Sequence, residues 1–260
     1  APNDVEVHAV VGGLLSDAGR LEDALAIAER AIAIDPINAG LYFDIGNLHQ
    51  RLRHWDAAEA AFRRSLELVP GNPNIYGRLA VVSFFRGDAV SGVRNLMEAM
   101  RLDSQDPELP GNLANWLYQF GLIEEADAYR DRANLVSRDS SVARSAVLMS
   151  AVVRDDFDES DRLARSMIVD DIDERHGSYY FAVETVLRNA IEREDAQGGL
   201  QFMEEHQPGF NDPLSNLISY KARAAQAAAF GAWFVAYGAE DAARMVNDVL
   251  RVAESSGMAP

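Results

Sequence analysis

The chain has 260 residues, 48% of them hydrophobic, with nine prolines, no cysteine and a formal charge of −17. Without cysteine there is no disulfide, no thiolate metal site and no thiol catalysis, and plentiful alanine, leucine and arginine with sparse proline point to a soluble helical protein. The acidity runs through both halves, with 20 acids and 13 bases in residues 1–138 and 21 and 11 in residues 139–260, so the basic track that nucleic acid requires is missing.

Lysine occurs only at Lys221 while arginine is common, a bias that suggests a bacterial genome. No basic stretch leads into an apolar core near the N-terminus, so no signal peptide is expected in this chain. A first residue of Ala1 rather than Met fits a processed protein or an excised segment, which leaves cytoplasm and periplasm both open. The longest uncharged run, Ala224 to Ala239, falls short of the roughly 20 apolar residues of a membrane span, so no membrane insertion is expected.

The first elements repeat. Gly19-Arg20-Leu21-Glu22-Asp23-Ala24 returns 34 residues later as Arg53-His54-Trp55-Asp56-Ala57-Ala58. The same offset aligns Gly19, Arg53, Gly87 and Gly121 at a turn between two helices, then Ala24, Ala58, Gly92 and Ala126 five residues on. Ala31, Ser65, Ala99 and Ala133 coincide in the second helix, and Gly12, Gly46, Ala80 and Ala114 in the first. Small side chains at these places let two antiparallel helices approach to the short end of the usual axis separation. Pro36 and Pro70 close the first two units, where a missing N–H ends one helix and starts the next, and Ser104 and Arg138 replace that proline later.

These residues resemble the tetratricopeptide repeat family, whose 34-residue unit places small residues at such positions, an aromatic early in the first helix and a proline at the end. Tyr42 and Tyr76 match the early aromatic and Phe62 the large residue of the second helix, while His8 and Pro110 depart from the pattern. The match covers residues 5–138 best. A fifth unit is predicted from Ser141, with a turn near Asp155-Asp156-Phe157 and a second helix through Leu163, Ala164 and Met167. A sixth hairpin fits if two residues are inserted, with a first helix around Tyr179 to Asn189, then Ala196, Leu200 and Met203 before Pro208. A seventh has a first helix from about Pro213 to Tyr237, Gly238 at the turn, and Ala243, Val246 and Leu250 on the inner face of the last helix.

Apolar residues three and four apart, as in Leu21, Leu25, Ala28 and Ile32, support helices throughout, and no useful stretch alternates at period two. The expected fold is therefore all-α, a right-handed α-solenoid superhelix of about seven antiparallel hairpins with a concave inner surface. Residues 1–138 would form four regular units, and residues 139–260 about three divergent hairpins continuing the same solenoid, with any break near residues 138–142 or 208–213.

Catalytic chemistry finds no foothold. His8, His49, His54, His176 and His206 lie in different contexts, and the five-residue spacing of His49 and His54 puts them off a common helix face. The acidic runs Asp155 to Glu159 and Asp170 to Glu174 lack the glycine and glutamate of a calcium loop, and fit helix starts better. There is no phosphate-binding glycine loop and no nucleophile elbow. Neither cofactor nor metal is expected, and the chain reads as a non-enzyme.

The resemblance implies a binding groove lined by the second, fifth, sixth, ninth, twelfth and thirteenth positions of each unit. Carried onto this sequence, those positions are Phe43, Asp44, Asn47, Gln50 and Arg51, then Arg78, Val81, Phe84 and Phe85, then Asn112, Asn115, Tyr118 and Gln119, with Phe181, Thr185 and Arg188 as continuations. Asn47 and Asn115 would clamp a ligand backbone through paired amide hydrogen bonds, and Arg51 and Arg78 would receive a carboxylate. The family's two-carboxylate clamp needs lysines that these units lack. The expected function is a protein-interaction module or scaffold that binds a peptide or a partner-protein segment in this groove. Two other readings stand beside it: a regulatory or sensory segment of a larger bacterial signalling or transcription protein, and a structural solenoid self-associating through its C-terminal hairpins around Phe230, Trp233 and Phe234.

Overall fold

The computed structural model describes residues 5–106, 108–169 and 177–195, with Gly198 and Phe202 beyond them. Among these residues lie eleven α-helices and no strand. They are α1 (Val5–Asp17), α2 (Leu21–Ile34), α3 (Ala39–Arg51), α4 (Trp55–Leu68), α5 (Pro73–Phe85), α6 (Ala89–Leu102), α7 (Glu108–Gln119), α8 (Ile123–Val136), α9 (Ser141–Val152), α10 (Phe157–Val169) and α11 (Gly177–Glu192). Neighbours pack in pairs, α1 on α2 through α9 on α10, as all-α helical hairpins. None of the described helices is long and apolar enough to cross a membrane. The second helix of the sixth hairpin, the seventh hairpin with its aromatic cluster, the second acidic run, His176 and His206 fall outside the described residues.

The 34-residue period is set by one turn. Second helices begin at Leu21, Trp55, Ala89, Ile123 and Phe157, and two residues before each the backbone turns left-handed, with φ of +77° at Gly19, +60° at Arg53, +80° at Gly87, +76° at Gly121 and +53° at Asp155. The following N–H then bonds back five residues, from Arg20 to Leu15, His54 to His49, Asp88 to Ser83, Leu122 to Leu117 and Asp156 to Ala151, at 2.8 to 3.1 Å. This pairing satisfies carbonyls that the end of a helix leaves open, and it favours glycine because a Cβ in the left-handed region costs about 1–2 kcal/mol. The next such residue is Glu194 (φ +56°), 39 residues after Asp155, so this turn-to-turn interval exceeds the period by five residues, while α11 begins 36 residues after α9, the period plus the two expected. Helix α11 has 16 residues.

Side chains start the helices. Asn38, Asn72, Asp88 and Ser140 each accept a hydrogen bond from a backbone N–H of the first turn, and Asp156, in the first acidic run, does so from Glu159 N at 3.1 Å.

The chain divides into two compact units, residues 1–104 and 105–260. In the first, Ala24, Ala28, Ile45, Leu48 and Ala61 form one core cluster across α2, α3 and α4, and Ala58, Phe62, Ile75, Leu79 and Val82 form another across α4 and α5. The small positions do their expected work, since Ala24, Ala31, Ala58, Ala80 and Ala99 have no exposed surface. Two glycines go further and act as sockets. A Cβ on Gly46 would sit 2.5 Å from the Phe62 ring, and one on Gly92 would sit 2.5 Å from the Phe84 ring.

In the second unit α7 packs on α8 and α9, and α9, α10 and α11 pack together. There Leu148, Ala164, Met167, Ala182, Val183, Val186 and Phe202 make the core.

Candidate functional site

The face presented by the first helix of each hairpin carries the polar residues singled out from the sequence. In the first unit Asn47 and Gln50 are half-buried on α3, while Asp44 and Arg51 are exposed beside them. Desolvation pushes the Asp44 carboxyl up from its ordinary range. The Arg51 guanidinium reaches back to α1, donating to the Ser16 hydroxyl and, at 3.0 Å, to the Ser16 carbonyl. Arg78 stands exposed on α5 and has no hydrogen bond or ion pair among the described residues. Val81 is half-buried on the same helix.

The aromatic candidates divide. Phe43 is half-buried and its ring meets Phe62 at 5.7 Å between centroids, tilted by 59°. Phe84 is 5% exposed and fills the Gly92 socket inside its own hairpin, so it belongs to the core and not to the face. Phe85 is half-buried and stacks on Trp55 of α4 at 4.8 Å and 4°, joining the second hairpin to the third.

In the second unit Asn112, Asn115 and Gln119 are half-buried on α7. Gln119 donates to the Asn115 carbonyl at 3.3 Å. Two amide oxygens on these faces, Oε1 of Gln50 and Oδ1 of Asn115, are enclosed and accept no hydrogen bond. An enclosed acceptor left this way costs about 1–3 kcal/mol. Tyr118 is 3% exposed, and its hydroxyl turns inward to donate to Asp127 at 2.6 Å. Among the continuations on α11, Phe181 and Arg188 are half-buried, and Thr185 is buried and donates to the Phe181 carbonyl at 2.8 Å.

Around Asp127 lies a polar network that the sequence reading missed. Asp127 accepts from Arg130 at 2.6 Å and from Arg154, while Arg130 also donates to Ser150 Oγ at 2.7 Å and to Asp131 at 2.8 Å. Burial pushes the Asp127 carboxyl up, but Tyr118, Arg130 and Arg154 outweigh it and hold it below the ordinary carboxylate range. Burial and the bond to Asp127 both raise the Tyr118 hydroxyl. A signal for this network was present. Glu59 pairs with Arg86 across 27 residues, and Asp127 pairs with Arg154 across the same 27, at equivalent positions two repeats later. In both cases an acid of a second helix grips the arginine that ends the next first helix.

His49 and His54 also behave differently from the expectation. Their rings lie 5.7 Å apart, because His54 sits past the turn at the start of α4 and not on α3. Burial, and then His54, lower the His49 imidazole, against Glu29. Among the described residues no group of three or more His, Asp or Glu side chains is placed to hold a metal ion.

A family model for the tetratricopeptide repeat matches residues 15–80. Tetratricopeptide repeat protein 16 of Homo sapiens is 27% identical over 137 residues, which is 48% of this chain and 16% of that protein. The chain thus spans about a sixth of the length of the curated relatives it matches. Among solved structures, the APC/C hetero-tetramer Cut9-Hcn1 is similar with a TM-score of 0.67 at 12% identity, over 83% of this chain and 42% of that one. Yeast Tom70 is similar with a TM-score of 0.61 at 18% identity, over 86% and 47%. A thermophilic tetratricopeptide repeat protein of Thermus thermophilus gives 0.60 at 16% identity, over 71% of this chain and all of that one. At these identities the likeness is one of fold.

Proposed function

Because the chain carries tetratricopeptide repeats, a fold that generally mediates contacts between proteins, we propose that it works by holding an extended segment of a partner protein on the first-helix faces of the hairpins within a compact unit. The observation that carries this reading is the exposed Arg78 guanidinium, which has no hydrogen bond or ion pair among the described residues, in the same unit as the half-buried amides of Asn47 and Gln50. A side-chain amide offers both a donor and an acceptor, the pair that the main chain of an extended segment presents. Asn47 occupies the same repeat position as Asn115 and is half-buried in the same way. The uncommitted guanidinium of Arg78 adds a planar fork for a carboxylate. Phe43 and Phe85 form the apolar bed beneath, while Phe84 and Tyr118 stay inside the protein.

The test compares capture of binding partners by the native chain and by an Asn47→Ala, Asn115→Ala, Arg78→Ala triple variant with an unchanged circular dichroism spectrum. Loss of a captured protein, with affinity down about tenfold or more in a purified assay, is expected from removing two amide pairs and a guanidinium. Retention at full affinity would move the binding surface off these faces.

A further inference from the structure

The second helices carry a different opening, made by three substitutions at one repeat junction. Where the first hairpin meets the second, Tyr42 fills the space between Pro36 and Arg64: its hydroxyl donates to the Pro36 carbonyl at 3.3 Å, and the Arg64 guanidinium lies 5.8 Å from its ring centre. The residues 102 positions later, three full repeats on, are Arg138, Arg144 and Ser166. The aromatic stopper and the proline have both become arginine, and the covering arginine has become serine. In place of the filled junction there is a pocket of about 540 Å³ walled by α8, α9 and α10.

The interior and the rim of this pocket differ in character. Val147, Leu163 and Met167 form an apolar floor. Leu135 stands at the lip and is 84% exposed, at a repeat position held by Ala33, Glu67 and Arg101 in the preceding units. An exposed leucine is ordinary alone, but one placed over an open apolar pocket is a ready contact for an incoming side chain. Arg138 and Arg144 line the same pocket, and Arg144 reaches Ser166 Oγ at 3.3 Å. Arg138 has no ion pair among the described residues. Among the described residues Asp131 is the one acid in the lining, and it is held by Arg130 at 2.8 Å. Among the described residues the rim thus sets two arginines, Arg138 and Arg144, beside an apolar hole.

We propose that this pocket is a second docking site, which takes a peptide segment of a partner protein carrying a bulky apolar side chain next to a carboxylate. The apolar group enters the space that Tyr42 fills in the second hairpin, and the carboxylate is bonded by Arg138 and Arg144. Its lining shares no residue with the candidates on α3, α5, α7 and α11, and it does not depend on ligand binding there. Because the chain as a whole is acidic, attraction of the acidic segment is local, through the two guanidinium groups.

The experiment is selection of a random displayed peptide library against the full chain and against an Arg144→Tyr variant, which restores the stopper residue of the second and third hairpins. Peptides pairing Leu, Phe, Met or Trp with Asp or Glu are expected from the native chain and not from the variant. The strongest of them, made synthetically, should bind at least about tenfold more weakly to Arg138→Glu and to Leu135→Ser, both surface changes that leave the core intact, and equally well to Asn115→Ala. The proposal falls if no peptide is enriched, if the enriched peptides lack the acid, or if their binding survives Arg144→Tyr. It falls also if binding is lost on Asn115→Ala, which would place the ligand on the first-helix face. Self-association in sedimentation that disappears in Arg144→Tyr would make a second copy the occupant and overturn the choice of a partner peptide.

Discussion

Between the second and third hairpins the contact is apolar and aromatic: Phe85 stacks on Trp55, and Phe62 packs in one cluster with Ile75, Leu79 and Val82. Between the fourth and fifth it is polar, built on Asp127 with Tyr118, Arg130, Ser150 and Arg154. The backbone turn and the 34-residue register are the same in both places. A repeat therefore fixes where two hairpins touch without fixing what chemistry holds them, and the two contacts should respond to different conditions. Apolar contacts are nearly indifferent to pH, whereas a network of ionised groups is tied to the protonation of its members.

The largest expected effect comes from the aromatic side. Phe62 has no exposed surface, so Phe62→Ala should destabilise the first unit by about 3–5 kcal/mol, part of it from the cavity left beside Gly46. Hydrogen exchange over α3, α4 and α5 is the measurement, because it reports the first unit separately. Protection unchanged in these helices would mean that the socket contributes little.

Asp127→Asn should cost less, about 1–3 kcal/mol, since it leaves two guanidinium groups without their carboxylate in a site that is only partly enclosed. Its signature is pH. The folded-state pKa of Asp127 is depressed, so its contribution is present above the unfolded value of about 4 and is lost as pH falls through the lower folded value. Denaturation midpoints of the native chain should therefore converge on those of Asp127→Asn as pH drops below about 4. A constant gap between the two would remove the ionic account of this contact. Arg86→Ala tests the exposed counterpart. Arg86 pairs with Asp56 and Glu59 at 40% exposure, and its loss should shift stability by less than about 1 kcal/mol, an effect that moderate salt screens away.

How much could be read from the sequence depended on whether a residue acts alone or through its neighbour. The period was legible because the left-handed turn recurs with glycine at Gly19, Gly87 and Gly121, and the same register carried Arg53 and Asp155. In the sixth unit the left-handed residue is Glu194, which has no turn signature, so the sequence marks no turn there. Gly92 was read as a small residue permitting close approach. That it is a socket for Phe84, and that Phe84 is therefore interior, follows only from the ring that faces it. Tyr118 looked like a surface residue by position, and Asp127 drew it inward. Asn47 and Asn115 are half-buried and Arg78 is exposed, and among the described residues no hydrogen bond or ion pair claims the Arg78 guanidinium.

The two glycine sockets have a further bearing on how an internally repetitive chain avoids folding wrongly. Near-identical hairpins invite a first helix to pair with the second helix of another hairpin, a characteristic failure of repeat proteins. The sockets sit on opposite partners: glycine is on the first helix in the second hairpin and on the second helix in the third. Pairing α5 with α4 in the native register would set Ala80 against Phe62 and Phe84 against Ala58, placing a methyl group where each ring has room only for hydrogen. Pairing α3 with α6 would leave Gly46 facing Leu96 and Gly92 facing Gln50, with both holes short of an aromatic ring. One exchange is blocked by overlap and the other by vacancy, so each helix can recognise its own mate during folding.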